Sequence, residues 1–192
     1  MFCASSSTVP RPYLDLARSF GTALGARGHC LVWGGGAVGM MGEVARAAQR
    51  AGARLIGVIP RALLAREVAF EGAEEMIVTE TLRERKQRMD ELCDAFVALP
   101  GGIGTLDELV EAIALKQLGY HAKPIAVLNS DGFFDPLLEQ IGRQIGGRFA
   151  PDSLWRLFTV VGTPEAALEH IEQTLKSASD GASPSAEPPA AG

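Results

Sequence analysis

The sequence predicts an α/β fold in which a mostly parallel sheet is covered by helices on both faces. Short runs of continuously apolar residues recur along the chain, which is typical of strands that are buried on both sides. Amphipathic helical patterns lie between these runs, so strands and helices alternate as they do in parallel sheets. A chain of 192 residues is long enough for one such domain and short for two.

The predicted strands are short runs rich in Val, Ile and Leu, and the predicted helices carry apolar residues every three or four positions. The strands are Met1–Cys3, Cys30–Gly34, Leu55–Ile59, Met76–Thr79, Ala95–Leu99, Ile125–Leu128 and Phe158–Val161. The helices are Tyr13–Ala26, Met40–Ala51, Thr81–Cys93, Thr105–Gly119, Asp135–Ile145 and Pro164–Lys176. The first strand is at the lower limit of usual strand lengths, so either it is short or natural residues precede it.

The end of the chain has a different composition from the rest. Residues 177–192 are almost entirely Ser, Ala, Pro and Gly. Such a segment buries too little apolar surface to offset the entropy of ordering it. We therefore predict one domain over residues 1–176 and a disordered tail over residues 177–192.

Composition excludes several classes of protein. Apolar residues make up 47% and charged residues 21%, as in ordinary soluble domains. A net charge of −5 without a cluster of Lys or Arg argues against a nucleic-acid partner. The sequence contains neither an apolar run of membrane-spanning length nor a signal-peptide pattern. The three scattered cysteines, Cys3, Cys30 and Cys93, fit free thiols in a reducing compartment, so we expect a cytoplasmic protein without a membrane partner.

A first glycine-rich turn follows the strand that ends near Trp33. Its sequence, GGGAVGMMG over residues 34–42, opens a helix. Gly34, Gly35 and Gly36 could let backbone N–H groups approach a phosphate. The turn lacks the Gly-Lys-Ser/Thr of a Walker loop and departs from the dinucleotide motif GxGxxG. The alternative interpretation is a tight turn that packs a helix closely against a strand.

A second glycine-rich turn, PGGIGTLDE over residues 100–108, lies between a predicted strand and a predicted helix. A helix start offers unpaired N–H groups and the positive end of the helix dipole, which together favour an anion. Two such turns can face each other at the carboxyl edge of a parallel sheet, where ligands bind in this architecture. For Glu108 the alternative is structural, because Thr105-x-x-Glu108 also fits a capping box.

The helix predicted over Thr81–Cys93 carries cations on its apolar side. Arg85 and Lys86 lie one helical turn from both Leu82 and Met89 and therefore share their face. An inward cation needs a partner, because burial of an unpaired charge is costly. A phosphate or carboxylate ligand would meet this need, and Arg binds either through two hydrogen bonds. A structural salt bridge is the alternative.

Other polar residues give weaker signals. Arg66 and Glu67 fall in a predicted connection and could form a loop ion pair. The three histidines lack metal-ligand spacing, and a G-x-S-x-G nucleophile motif is absent.

Taken together, these motifs show that the chain resembles the Lonely Guy family of cytokinin-activating phosphoribohydrolases, which are often mislabelled as lysine decarboxylases. Residues 34–42 match the family's GGGxxGLMG, Glu84-Arg85-Lys86 matches its E/Q-R-K segment, and residues 100–108 match its PGGxGTxxE. Motif spacing and flanking strands also agree from Phe2 to about Val161. Each motif alone is a weak signal, whereas the three together are highly specific.

The resemblance implies a three-layer modified Rossmann fold and a homodimer. It implies hydrolysis of the N-glycosidic bond of N6-substituted AMP, and often of AMP, to free base and ribose 5-phosphate, without a cofactor or metal. Carried over by position, Arg85 and Glu108 are the implied catalytic residues. Substrate contacts are implied for Glu67, Lys86, Gly101, Gly102, Ile103, Gly104, Thr105 and Asp107.

The chain departs from the family pattern at a few positions. Leu82-Arg83 replaces the usual Met-His, Ile103 a frequent Tyr, Ala114 a frequent Thr, and Ala65 a common Pro. These differences concern the preferred base more than the type of reaction. Two other activities stay open. Carriers of the molybdenum cofactor use the same fold to bind a phosphorylated pterin without turnover, whereas a lysine decarboxylase would need a pyridoxal-phosphate lysine that no motif marks.

Overall fold

The computed structural model describes residues 1–64 and 69–181. Strands and helices alternate along these residues. The strands are β1 (Leu31–Trp33), β2 (Leu55–Pro60), β3 (Glu75–Thr79), β4 (Phe96–Ala98), β5 (Ile125–Leu128) and β6 (Thr159–Val161). The helices are α1 (Arg11–Ala26), α2 (Gly39–Arg50), α3 (Arg61–Leu64), α4 (Leu82–Leu92), α5 (Ile103–Gln117), α6 (Asp135–Gly146) and α7 (Pro164–Gly181).

The strands form two parallel sheets that the N-terminal segment Met1–Cys3 joins. One sheet has the order β1-β2-β3 and the other β4-β5-β6. Phe2 N–H donates to Val97 O and Leu99 N–H donates to Phe2 O, both at 2.9 Å. On the other side, the Met1 amino group donates to Val32 O at 2.9 Å. The N-terminal segment therefore lies between β1 and β4 and connects them into one layer.

Helices cover both faces of this layer. Successive strand residues point to opposite faces, so Leu31 and Trp33 enter one apolar core and Val32 enters the other. The first core packs against α1, α2 and α7. The second packs against α4, α5 and α6. The three-layer α/β architecture predicted from the sequence is confirmed.

The element boundaries differ from the predicted ones by a few residues. The last helix, predicted to end at Lys176, continues to Gly181. The one-turn helix α3 was not predicted, because a single turn is too short to show helical periodicity. The division into one domain and a tail stays a prediction. Within the described ranges, no helix combines the length and apolar character needed to cross a bilayer.

Candidate active site

A cleft of about 380 Å³ opens beside the N-terminal segment, from which the later strands of the sheet extend in two opposite directions. The N-terminal segment has β1, its next strand in sequence, on one side and β4 on the other. In open parallel sheets, such a switch point is where ligands bind, beyond the carboxyl ends of the strands. Residues that line the cleft include Ala4, Ser5, Ser6, Met41, Leu63, Leu82, Arg85, Gly102, Ile103, Gly104, Thr105 and Glu108.

The loop after the N-terminal segment holds the two glycine-rich turns together. Ala4 N–H donates to Pro100 O at 3.2 Å, at the start of the second turn. Ala4 O accepts from Met41 N–H, also at 3.2 Å, at the end of the first turn. Both turns therefore lie at the same edge of the sheet, as the sequence predicted.

The second turn presents an open helix N-terminus to the cleft. Helix α5 begins at Ile103 with Gly102 as its N-cap residue, and its first intrahelical donor is Leu106 N–H, 3.2 Å from Gly102 O. The N–H groups of residues 103–105 precede that donor and have no intrahelical acceptor. A Cβ added at Gly102 or Gly104 would meet no atom within 4 Å. These two glycines therefore leave space in which an anion can reach the backbone.

Gly101 has a different role in the same turn. A Cβ at this position would collide with the Thr105 side chain and lie 3.0 Å from Ala4 N. The absence of a side chain at Gly101 thus lets the turn pack against the N-terminal loop. Thr105 is buried beneath the turn.

The capping-box interpretation of Glu108 is wrong. Because α5 begins at Ile103, Glu108 lies well inside the helix, and no side chain caps its first turn. Glu108 instead faces the cleft and is only 8% exposed. The same Thr-x-x-Glu pattern does cap α4, where Thr81 Oγ1 accepts from Glu84 N–H at 3.1 Å.

The cap at Thr81 fixes the start of α4 and so the position of Arg85. Arg85 and Met89 are the buried residues of this helix. Arg85 Nη2 lies 3.8 Å from Glu108 Oε1, which is too long for a hydrogen bond. Arg85 Nε is also buried without a hydrogen-bond partner among the described residues. The guanidinium is therefore held in the cleft with unused donors, which suits it to an anionic ligand.

Burial dominates the electrostatics of Glu108. It raises the pKa of this carboxyl above the usual value of 4.5, and the positive charge of Arg85 offsets part of the rise. A carboxylate with a raised pKa can exchange a proton closer to neutral pH, as general acids and bases do.

Lys86 points to the neighbouring helix. Its Nζ lies 2.9 Å from Asp107 Oδ2 and also forms an ion pair with Glu111. Burial acts to lower the pKa of Lys86, but its hydrogen bonds to Glu111 and Asp107 more than offset this, so the pKa is raised. Lys86 is thus already paired in this structure, and its contact with substrate stays a prediction.

The first turn packs mainly against the protein itself. A Cβ at Gly34 would collide with Arg85 Nη2. Gly35 has φ +76°, its oxygen accepts from Phe70 N–H at 3.0 Å, and Gly36 O accepts from Trp33 Nε1 at 3.3 Å. None of these three glycines is among the residues that line the cleft. Their contact with a phosphate stays a prediction, and the packing alternative agrees with the contacts observed.

Some cleft residues had no signal in the sequence. Ser5, Ser6 and Leu63 line it without belonging to any motif. The loop after the first strand could have indicated the two serines, because that strand borders the switch point. Glu67 and Arg66, the weaker candidates, lie outside the described residues.

Comparison with known proteins identifies the family of this chain. The sequence model of a family described as "possible lysine decarboxylase" matches residues 41–171. A rice protein named probable cytokinin riboside 5'-monophosphate phosphoribohydrolase LOGL9 is 48% identical over 166 residues, which cover 86% of this chain and 72% of the rice protein. The chain belongs to the Lonely Guy family.

A bacterial relative is aligned with this chain over a larger share of the relative's length. The cytokinin riboside 5'-monophosphate phosphoribohydrolase of Mycobacterium tuberculosis is 44% identical to this Lonely Guy chain, over 86% of this chain and 89% of the relative. Among solved structures, the molybdenum cofactor binding protein of Rippkaea orientalis matches with a TM-score of 0.67 at 21% identity, over 88% of this chain and 91% of that protein. At that identity the match establishes the fold alone.

Proposed function

We propose that this chain hydrolyses the N-glycosidic bond of N6-substituted adenosine 5'-monophosphates, and of AMP, to free base and ribose 5-phosphate. The observation that carries the proposal is the placement of Arg85, which is buried in the cleft with unused donors 3.8 Å from the buried Glu108. A cation and a carboxylate beside an open helix N-terminus suit a substrate that combines an anion with a developing positive charge.

The phosphate of the substrate would bind at the start of α5. The N–H groups of Ile103, Gly104 and Thr105 are free for it, and Gly102 and Gly104 leave the space open. A phosphate held there places the attached ribose within reach of Glu108, which follows one helical turn after Thr105 on the same side of α5.

Glu108 would act on the sugar. As the bond between the anomeric carbon and the base nitrogen lengthens, positive charge develops on the ribose, and a nearby carboxylate stabilises it. The same carboxylate can accept a proton from the water whose oxygen bonds to the anomeric carbon. The base leaves with the electron pair of the broken bond and takes a proton from solvent at a ring nitrogen, and Glu108 then releases to solvent the proton that it accepted from water. Arg85 would hold the substrate and Glu108 in the required geometry.

Relatives support this choice of reaction through their names. The rice and Mycobacterium tuberculosis proteins are named as cytokinin riboside 5'-monophosphate phosphoribohydrolases, and both are more than 40% identical to this chain over 86% of its length. The molybdenum-cofactor carriers share the fold at about half that identity. We therefore favour an N-glycosidase over a carrier.

The test is an assay for base release. Purified protein is incubated with AMP or with N6-isopentenyl-AMP, and free base and ribose 5-phosphate are quantified. Stoichiometric appearance of both products supports the proposal. Binding of nucleotide without turnover would support a carrier instead, and formation of cadaverine from added lysine would support a decarboxylase.

We also propose that the chain forms a homodimer through the outer surfaces of α4 and α5. Leu82, Ile103 and Val110 are 57%, 84% and 49% exposed. Leu82 and Ile103 border the same cleft, and Ile103 and Val110 are two helical turns apart on α5, so the three form an apolar group of the kind found at protein contacts. Sedimentation equilibrium should give twice the chain mass, and Val110→Asp should shift the protein towards monomer. A wild-type protein that stays monomeric at micromolar concentration would contradict this.

The state of the thiols supports a proposal for the cellular location. Cys3, Cys30 and Cys93 are all free, as expected in a reducing compartment. We propose a cytoplasmic protein.

A further inference from the structure

Lys86 joins α4 to α5 on both sides of Glu108. Its Nζ contacts Asp107, the residue before Glu108, and Glu111, one helical turn after it. The lysine side chain is 20% exposed, and those of Asp107 and Glu111 are 60% and 41% exposed, so solvent screens both pairs and each contributes little to stability. Their effect is geometric, because one cation from α4 contacts α5 on both sides of the carboxylate.

Helix α4 is also held by the cap at Thr81 and by Asp90, whose Oδ1 lies 2.6 Å from Lys123 Nζ. Met89 is its one buried apolar residue. Two other ion pairs of α4 do not reach α5, because Arg88 pairs with Glu91 of the same helix and Asp90 pairs with Lys123 in the segment between α5 and β5. The ion pairs of Lys86 thus join α4 directly to the part of α5 that carries Glu108.

The distance between the two proposed catalytic groups depends on that packing. Arg85 belongs to α4 and Glu108 to α5, and the two are 3.8 Å apart without a hydrogen bond to hold them. Catalysis is sensitive to such distances, because a misplacement of about 1 Å can reduce the rate about 100-fold. Lys86 also compensates charge, since Asp107, Glu108 and Glu111 place three carboxyl groups on neighbouring positions of α5.

We propose that Lys86 is a positioning residue, which sets the separation of Arg85 and Glu108 by pairing with Asp107 and Glu111 and does not contact substrate. The kinetic test of this inference rests on the proposed function, because it measures base release. It replaces the substrate contact that the family resemblance implies for this lysine.

The kinetic test compares Lys86→Met, Lys86→Arg and a double variant, Asp107→Asn with Glu111→Gln, in the base-release assay. Arg88→Met is the matched control, because it removes a cation from the same helix without touching α5. Lys86→Met and the double variant should each lower kcat at least about tenfold and change KM less than about threefold. Lys86→Arg should recover most of the rate, and Arg88→Met should retain it.

The pH profile adds a readout that helix stability alone would not change. The charged groups that act on Glu108 are Arg85, the Met1 amino group, Asp107 and Lys86, in order of decreasing effect. Loss of the Lys86 charge should move the acidic limb of kcat/KM to higher pH, whereas Lys86→Arg should leave it in place. An increase in KM for Lys86→Met at unchanged kcat, or full activity of the double variant, would overturn the proposal in favour of substrate contact.

Crystal structures separate this proposal from the proposed function. If the wild-type protein releases no base, the proposed function fails, and the Arg85–Glu108 distance then decides the role of Lys86. That distance should differ from 3.8 Å in Lys86→Met and persist in Arg88→Met. An unchanged distance in Lys86→Met would overturn the positioning role, whatever the activity.

Discussion

The two glycine-rich turns lie at the same edge of the sheet but use their glycines in opposite ways. In the first turn, a Cβ at Gly34 would collide with Arg85, and one at Gly35 would lie 3.0 Å from the Met76 sulfur. In the second turn, a Cβ at Gly102 or Gly104 would meet nothing within 4 Å. Gly34 and Gly35 thus leave space for the protein's own side chains, whereas Gly102 and Gly104 leave space for a ligand.

This difference shows how a glycine motif acquires its role. The sequences of both turns allow close approach to a phosphate, so composition alone does not distinguish them. The surrounding residues determine the role of each glycine, because Gly34 lies against the Arg85 guanidinium whereas Gly104 faces the cleft. We propose that Gly34 contributes to the site indirectly, through the position of Arg85.

The largest effect is expected at the carboxylate that the second turn carries. Glu108→Gln keeps the size of the side chain but removes its charge and its capacity to accept a proton, so kcat should fall at least about 100-fold. The melting temperature should not decrease, because an amide is easier to bury than a carboxylate. A kcat close to that of wild type would contradict a catalytic role for Glu108 and indicate a structural one.

Arg85→Ala should also abolish hydrolysis, to an extent similar to that of Glu108→Gln. The substitution removes the buried cation that faces both the substrate and Glu108. Steady-state kinetics with AMP measures the loss. If activity stayed within a few fold of wild type, Arg85 would be a structural salt-bridge partner only.

Gly34→Ala tests whether the first turn acts through Arg85. The added methyl group needs the space that Arg85 Nη2 occupies, so the guanidinium must move. We expect kcat to fall about tenfold, less than in Arg85→Ala because the cation is displaced and not removed. In a double variant with Arg85→Ala, Gly34→Ala should add little further loss. Additive losses would indicate that Gly34 contacts the substrate itself.

Gly104→Ala tests the open space of the second turn. Alanine favours a helix over glycine by up to about 1 kcal/mol, so stability should be kept or slightly increased. The methyl group projects towards the cleft, and KM for the nucleotide should rise about tenfold as the phosphate is displaced. Gly146→Ala, at another open helical position away from the cleft, is the control and should leave KM unchanged.

The smallest effect concerns stability and pH. Burial raises the pKa of Glu108 in the folded state, so the folded protein binds this proton more tightly than the unfolded chain. Its contribution therefore favours folding at low pH and is lost as pH rises through the raised pKa. Relative to wild type, Glu108→Gln should show its largest gain in free energy of unfolding at neutral pH, and the gain should shrink on acidification. Urea melts across this pH range measure it, and a pH-independent difference would argue against a raised pKa.

The sequence predicted the layers of the fold because continuous Val, Ile and Leu runs identify strands that are buried on both faces. It could not distinguish the Thr-x-x-Glu pattern at Thr81, which caps α4, from the one at Thr105, which does not cap α5. The difference arises because Gly102 and Ile103 already begin the second helix. The apolar face of α4 correctly predicted that Arg85 is buried. The partners of Lys86 could not be predicted, because they lie on another helix and the local sequence around Lys86 does not indicate them.

The most direct test is a crystal structure of Glu108→Gln with AMP bound. We expect the phosphate to accept hydrogen bonds from the N–H groups at residues 103–105, with the anomeric carbon next to the side chain of residue 108 and Arg85 beside the ribose phosphate. A phosphate bound at Gly34–Gly36 instead, or a ribose remote from residue 108, would contradict the assignment of the second turn as the site of substrate binding.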